Sequence, residues 1–282
     1  MTADFEVREV KTLDEFFAIE EIQRDAWGFA DKELVPQSIL LAISYASGLV
    51  LGGFLPDGTM GGFAFSFLAG QEGDYHHHSH MAAVLRRHRG TGLALAIKRE
   101  QRNQVLGRGL DRITWTYDPI EARNAAFNMR KLGVVADRYL EDVYGLSSGP
   151  VHGGLPTDRI AVTWNLKSAK VRRLAGDDPA PAEPPPEDAR AFNRTEVDEA
   201  GRRKPTAWEW DAADAPALVE IPADIQALKL EAKPLAKAWR MHIREGLGRL
   251  FKEGYRINGF HLSEDAERRA FYRLTQVAAG RR

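Results

Sequence analysis

The chain has 282 residues, 44% hydrophobic and 28% charged, which suits an ordinary soluble globular protein of one large or two smaller domains. Lys and Arg number 39 against 40 Asp and Glu, so the formal charge is −1 and the basic excess of a dedicated nucleic-acid binder is missing. The absence of cysteine excludes disulfides, Cys-ligated zinc and cysteine nucleophiles.

The opening residues, Met1 to Val10, are charged and have no apolar core, so they do not read as a signal peptide, and a cytoplasmic location is expected. Residues Phe5 to Thr12 alternate and predict a strand. Leu13, Phe16, Phe17 and Ile19 recur at helical spacing and predict a helix reaching Trp27, with Gly28 as its stop. Pro36 suits the first turn of a second helix, which carries Ile39, Leu40 and Ile43 and stops at Gly48. The apolar run Gly48 to Gly70 is cut by Pro56-Asp57-Gly58 into pieces too short to span a membrane as helices. A hairpin of Leu49–Leu55 and Met60–Leu68 explains it better. Further strands are expected at His76–Leu85, Arg112–Tyr117, Val134–Tyr144 and Ile160–Leu166. Helices are expected at Leu93–Leu106 and from Asp118-Pro119 to Gly133. The result is an α+β fold, a mixed sheet with helices on its faces.

The composition changes near residue 167. Asp177 to Asp188 holds five of the chain's 14 prolines among acidic residues and reads as an extended linker. Beyond it, a strand at Leu218–Ile221, an amphipathic helix at Leu235–Glu253 and a strand at Tyr255–Leu262 are expected. The domain reading is therefore 1–170, a linker over 171–216, and a small αβ extension over 217–282. That extension is small for an independent core and is expected to pack on the first domain or on a second subunit. A homodimer is the expected assembly.

The most informative stretch runs from Ala83 to Ala94: a strand, a basic glycine turn and an Ala/Leu-rich helix without interruption. N–H groups at a helix start lack intrahelical partners, glycines admit close approach, and the helix dipole favours an anion. Arg86 to Gly109 carries seven Lys or Arg against one Glu. A pyrophosphate-bearing ligand follows. Neither the spacing of a dinucleotide fingerprint nor the Gly-Lys-Ser/Thr of a Walker loop is present.

Arg89-Gly90-Thr91-Gly92-Leu93-Ala94 resembles the R-x-x-G-x-G/A acyl-CoA signature of the GNAT superfamily of N-acyltransferases. Arg87 to Gly92 fits it in an overlapping register. Asn124 to Gly133 resembles that family's second CoA-side helix, and the resemblance covers about residues 5–167. It implies a GNAT-like fold with a central, mostly antiparallel twisted sheet. It also implies acetyl-CoA or succinyl-CoA as co-substrate and a small-molecule amine or amino acid as acceptor; the near-neutral charge and the interrupted apolar run add the expectation of no nucleic acid and no membrane partner. Backbone amides of Arg89, Gly90, Thr91, Gly92, Leu93 and Ala94 would hold the pyrophosphate. The end of the strand, with Ala83 and Val84, would bond the pantetheine, and Asn124 and Asn128 would add contacts from the second helix. Val219 to Asp224 and Gly254-Tyr255 are similar to a GNAT branch with a C-terminal extension, some of whose members look like amino-acid N-succinyltransferases.

Strand alternation places His76, His78 and His80 on one face and His77 on the other. His78 and His80 match the two strand histidines of arylalkylamine-type members, which implies the general base. A solvent-facing cluster and a metal site are the other readings of these histidines. Met129 stands where many members have a tyrosine acid, which leaves Tyr144 or Tyr139 as a candidate replacement, or no protein acid. Arg159 is a candidate clamp for a carboxylate, against a local Asp158–Arg159 pairing. Trp27 and Arg24 are candidates for the acceptor pocket, with core packing the alternative for Trp27. Arg240 and Arg244 read as the solvated edge of the C-terminal helix. A CoA-binding module without catalysis is the alternative function.

Overall fold

A computed structural model describes residues 5–145, 153–176, 190–210, 217–263 and 268–277. The described residues form two compact units, one of Phe5–Trp115 with Asn165–Ser168, the other of the remaining described residues.

The first unit begins with β1 (Glu6–Glu9), shorter than expected, and α1 (Leu13–Trp27). Thr12 and Glu15 form a capping box that fixes the start of α1, and Gly28 closes it. Next come α2 (Gln37–Tyr45), β2 (Leu49–Phe54), β3 (Met60–Ala69), β4 (His76–Val84), α3 (Leu93–Gly107) and β5 (Arg112–Tyr117), whose last two residues belong to the second unit. The strands β1, β2, β3 and β4 pair antiparallel in that order, and β5 joins β4 in parallel. Phe63 and Phe65 on one face of β3 pack with Phe16, Ile19 and Ile22 of α1 and Leu40 of α2. On the other face, a Cβ at Gly53 or Gly62 would lie within 3.0 Å of Ile97. The glycine-rich strands let α3 pack close to the sheet.

The second unit contains α4 (Ala122–Ala126), β6 (Val135–Leu140), β7 (Arg159–Asn165), α5 (Ala169–Ala175), β8 (Arg190–Ala191), β9 (Asn193–Val197), β10 (Arg203–Trp208), β11 (Ala217–Ile221), α6 (Ile225–Glu231), α7 (Lys233–Lys252), β12 (Tyr255–Leu262) and β13 (Ala270–Gln276). Antiparallel pairing runs β7, β6, β12, β13, β11, with β8 parallel to β11. The architecture is mixed α+β with mostly antiparallel strands and helices on the sheet faces, as expected.

Three expectations about elements are corrected. Asp118-Pro119 does not open a helix: α4 starts at Ala122 and continues as a π-helical segment, Phe127–Leu132. The strand expected to reach Tyr144 ends at Leu140. Residues 190–208, read as part of an extended linker, hold β8 and the β9–β10 hairpin. The proline-rich stretch 177–188 and Leu146 lie outside the described residues. Among the described residues no helix is long and apolar enough to cross a membrane.

Candidate functional site

In the first unit, β4 leads into a single 3₁₀ turn, Arg86–His88, and then into the glycines before α3. Gly90 and Gly92 have φ of 80° and 96°, a backbone region that favours glycine. A Cβ at either would meet nothing within 4 Å, so the space above the turn is open. Gly92 is the N-cap residue of α3 and offers no side chain to it. Among the described residues, the N–H groups of Gly90 through Leu95 have no hydrogen-bond partner. A row of open donors at a helix start, flanked by exposed Arg86, Arg87 and Arg89, is an anion cradle.

The cradle is fixed to the end of α1. Asp25 accepts from the Arg86 N–H at 2.6 Å, and Arg89 donates to the Ala26 carbonyl at 3.1 Å. The Thr91 hydroxyl donates to the His88 carbonyl. Of the cradle residues, Leu93 turns its side chain fully into the core, so only its backbone faces the turn. Ala83 and Val84 pair with Phe63 and Gly62 of β3. Pairing between β4 and β5 is confined to His77↔Ile113 and His78↔Thr114, so the other edge of Met81–Val84 has no strand partner among the described residues.

The histidines lie farther back on β4. Phe65 pairs with Met81 and Ser66 with Ser79, which makes His80 the extra residue of a β-bulge. His80 is exposed, with its ring 5.4 Å from Phe65 and 6.5 Å from His78. His78 is half-buried, and its Nδ1 is 3.0 Å from the Thr114 hydroxyl. Burial, followed by the neighbouring His80 and His76, lowers its pKa. The expected alternation holds: His77 is buried on the opposite face with Nδ1 2.9 Å from the Ser66 hydroxyl, and burial lowers its pKa to about 4. Among the described residues no group of three or more His, Cys, Asp or Glu could hold a metal.

Two polar groups here escaped the sequence reading. Thr114 is one. The other is the buried trio Ser79, Lys98 and Gln101: the Lys98 ammonium donates to both partners and lies 4.1 Å from the Trp115 ring centre. Burial lowers the Lys98 pKa to about 7. A lysine on a surface-like basic stretch carries no local signal that it is inside.

Trp27 stacks on Phe29 at 5.3 Å and meets Phe63 edge-on, in keeping with core packing. Arg24 is engaged by Asp31, Glu21 and Glu20. Neither side chain joins the turn, although both stand at the end of α1 that supports it.

The second unit holds the remaining candidates. Asn124 is exposed on α4, while Asn128 is buried in the π segment. The wider π turn breaks the four-residue spacing that would have put them on one face. Met129 is buried. Tyr144 is 55% exposed in a turn beyond β6. Tyr139 donates to Asp158 Oδ2 at 2.8 Å, and burial followed by that carboxylate pushes its pKa up.

Asp158 and Arg159 do not pair. Adjacent strand residues point to opposite faces. Fully buried Asp158 takes Arg244 in a two-point ion pair and accepts from the Asp142 N–H. Arg159 donates instead to the Thr116 hydroxyl and carbonyl at 3.2 and 2.9 Å, and it faces the Tyr144 ring at 5.8 Å. Arg240 and Arg244 are not a solvated edge. Arg240 is 1% exposed and donates to Asp118 at 2.6 Å. Burial pushes the Asp118 pKa up, but the Arg240 charge and hydrogen bond outweigh it and hold the carboxyl low. The signal was present in the sequence: Ala236, Arg240, Ile243, Leu247 and Leu250 share one helical stripe, and a charge inside an apolar stripe needs a buried partner.

No family model and no curated protein matches the sequence. Among solved structures, the chain is similar to the ribosomal-protein-S18-alanine N-acetyltransferase of Escherichia coli, with 15% identity over 59% of this chain and 96% of that one, TM-score 0.46. It is similar to a GNAT-family acetyltransferase of Streptococcus pneumoniae, with 16% identity over 57% of this chain and 98% of that one, TM-score 0.46. It is also similar to a GNAT superfamily phosphinothricin acetyltransferase of Sinorhizobium meliloti in complex with AcCoA, with 15% identity over 58% of this chain and 88% of that one, TM-score 0.47.

Proposed function

We propose that the chain is a GNAT-type N-acyltransferase that moves an acyl group from acyl-CoA to the amine of a small molecule. The observation that carries the reading is the row of open N–H groups from Gly90 through Leu95 beneath two glycines with positive φ. They would hold the CoA pyrophosphate. The free edge of Met81–Val84 would hydrogen-bond the pantetheine amides, as an added strand does. The acceptor amine loses its proton to His78 or His80 and attacks the thioester carbonyl. The tetrahedral intermediate collapses and expels the CoA thiolate, which is then protonated. Fixing both reactants supplies much of the rate. The bulge at His80 breaks the pairing there and re-aims a side chain at the strand edge.

Tyr144 is the proposed acid for the departing thiolate, and Trp27, Arg24 and Arg159 are the proposed acceptor-side residues. The donor is proposed to be acetyl-CoA or succinyl-CoA, the acceptor an amino acid or related amine, and residues 1–170 the transferase portion. Thiol release tests this. Acetyl-CoA and succinyl-CoA are offered with a panel of amino acids and amines, beside His78→Ala, His80→Ala and Tyr144→Phe. The reading expects turnover with one donor and a loss of at least about tenfold in a histidine variant. No turnover with any pair would contradict it. One observation favours a second reading, a CoA-binding module without catalysis: Met129, which stands where the resemblance implies a tyrosine acid, is buried. CoA binding without thiol release is the result that reading expects.

A further inference from the structure

Arg159 stands at the start of β7 without an acidic partner. Its Nε and Nη2 are occupied by two neutral acceptors of one residue, the Thr116 hydroxyl and carbonyl. Among the described residues no carboxylate lies within ion-pair distance of it, and its Nη1 makes no hydrogen bond. Half-buried, it carries a charge that burial disfavours. The edge formed by Nη1 and the second Nη2 hydrogen is left open. That edge is the end-on fork that matches the two oxygens of a carboxylate.

A second buried cation deepens the imbalance. Arg240 gives Nη2 to Asp118, but its Nε and Nη1 are buried with no hydrogen-bond partner. Arg240 and Arg159 repel each other, and both are attracted by Asp118. The nearby Asp158, held by Arg244 and Tyr139, also attracts Arg240, while Arg159 has only Asp118 among the described carboxylates acting on it. Lys229 lies near Asp118 with its pKa pushed down by burial, and Glu121, whose pKa burial pushes up, accepts from Gln226. Arg159 thus shares its one nearby carboxylate, Asp118, with Arg240. A desolvated charge in such surroundings favours a compensating anion. The cluster is not sealed from solvent: Asp118 is 18% exposed at its side chain and Tyr144 is 55% exposed.

We propose that Arg159, backed by Arg240 and Asp118 and covered by Tyr144, is a binding site for a small carboxylate. The open guanidinium edge supplies two parallel hydrogen bonds, and the ligand supplies the missing negative charge. The site uses two residues, Arg159 and Tyr144, that the transferase reading also uses and so deepens that reading; carboxylate binding is measured without acyl-CoA or turnover, so the two can fail separately.

The test is a titration of the whole chain with acetate, succinate, inorganic phosphate and chloride, followed through the arginine Nε–H resonances and by calorimetry. Acetate or succinate is expected to bind and to shift the Arg159 signal. Arg159→Gln, checked for folding by its melting temperature, is expected to weaken binding about ten- to hundredfold. Arg159→Lys, which keeps the charge and loses the fork, is expected to fall between. Absence of carboxylate binding to the unaltered chain at tens of millimolar overturns the proposal, whatever the variants do. Equal binding of chloride or phosphate overturns it too, by showing a nonselective anion site. Unchanged affinity in a folded Arg159→Gln places any binding elsewhere and overturns it as well.

Discussion

A histidine whose Nδ1 is tied to a hydroxyl has one ring nitrogen left for a transferred proton. Thr114 holds Nδ1 of His78 in this way at 3.0 Å, from the neighbouring position on β5. If His78 is the base, Thr114→Val frees the ring. The expected cost is about fivefold in kcat, the equivalent of about 1 kcal/mol for one hydrogen bond, with acyl-CoA affinity unchanged. Steady-state kinetics of Thr114→Val and Thr114→Ser check this, with Ser restoring the rate. His77 makes a different prediction. Its folded pKa of about 4 lies below the ordinary 6.5, so the unfolded chain binds more protons between those values. The stability contributed by neutral His77 is complete above pH 6.5 and is lost as the pH falls toward about 4. Urea unfolding on either side of pH 6.5 should show that loss, and His77→Gln should flatten it. Most of these residues could be singled out from the sequence, because strand alternation separates His77 from His78 and His80. Thr114, Lys98 and Asp118 could not, because their importance comes from partners distant in the chain.

At the scale of elements, legibility followed the local signals. The ends of α1 were readable because Thr12, Glu15 and Gly28 are local punctuation. The hairpin of β9 and β10 was not, because Asn193–Val197 and Arg203–Trp208 lack an apolar alternation and Pro205 interrupts them. Tertiary contact supports this hairpin instead: Trp208 lies flat on His242 of α7 at 4.5 Å between ring centres. That contact needs Gly246, where a Cβ would fall 1.8 Å from Trp208. In an exposed helix Gly→Ala would stabilise by about 1 kcal/mol. Here the whole indole must move, so Gly246→Ala is expected to destabilise by about 1–3 kcal/mol. A lower melting temperature with altered tryptophan emission would confirm it, and a raised one would refute it. The α3 turn makes the opposite case. Gly92→Ala meets no neighbour, but its φ of 96° costs an L-residue about 1–2 kcal/mol. Denaturant titration of that variant measures the cost.

At the scale of the whole molecule, the sequence carried the mixed α+β class and the basic glycine turn, because both are written in short-range pattern. It did not carry the charge network of the second unit, which joins Asp118, Asp158, Arg240 and Arg244 across more than 80 residues. Exposed Leu13 and Phe17 on α1 leave apolar surface that suits the homodimer expected from the sequence, and light scattering that gives a monomer at high concentration would contradict that assembly. The open N–H groups of Gly90 through Leu95 are proposed to hold the pyrophosphate of CoA. Calorimetric titration of CoA into the unaltered chain and into Gly92→Ala tests it most directly. Saturable one-to-one binding that weakens when the turn is distorted is the expected result; absence of CoA binding to the unaltered chain would contradict the proposed role of the turn.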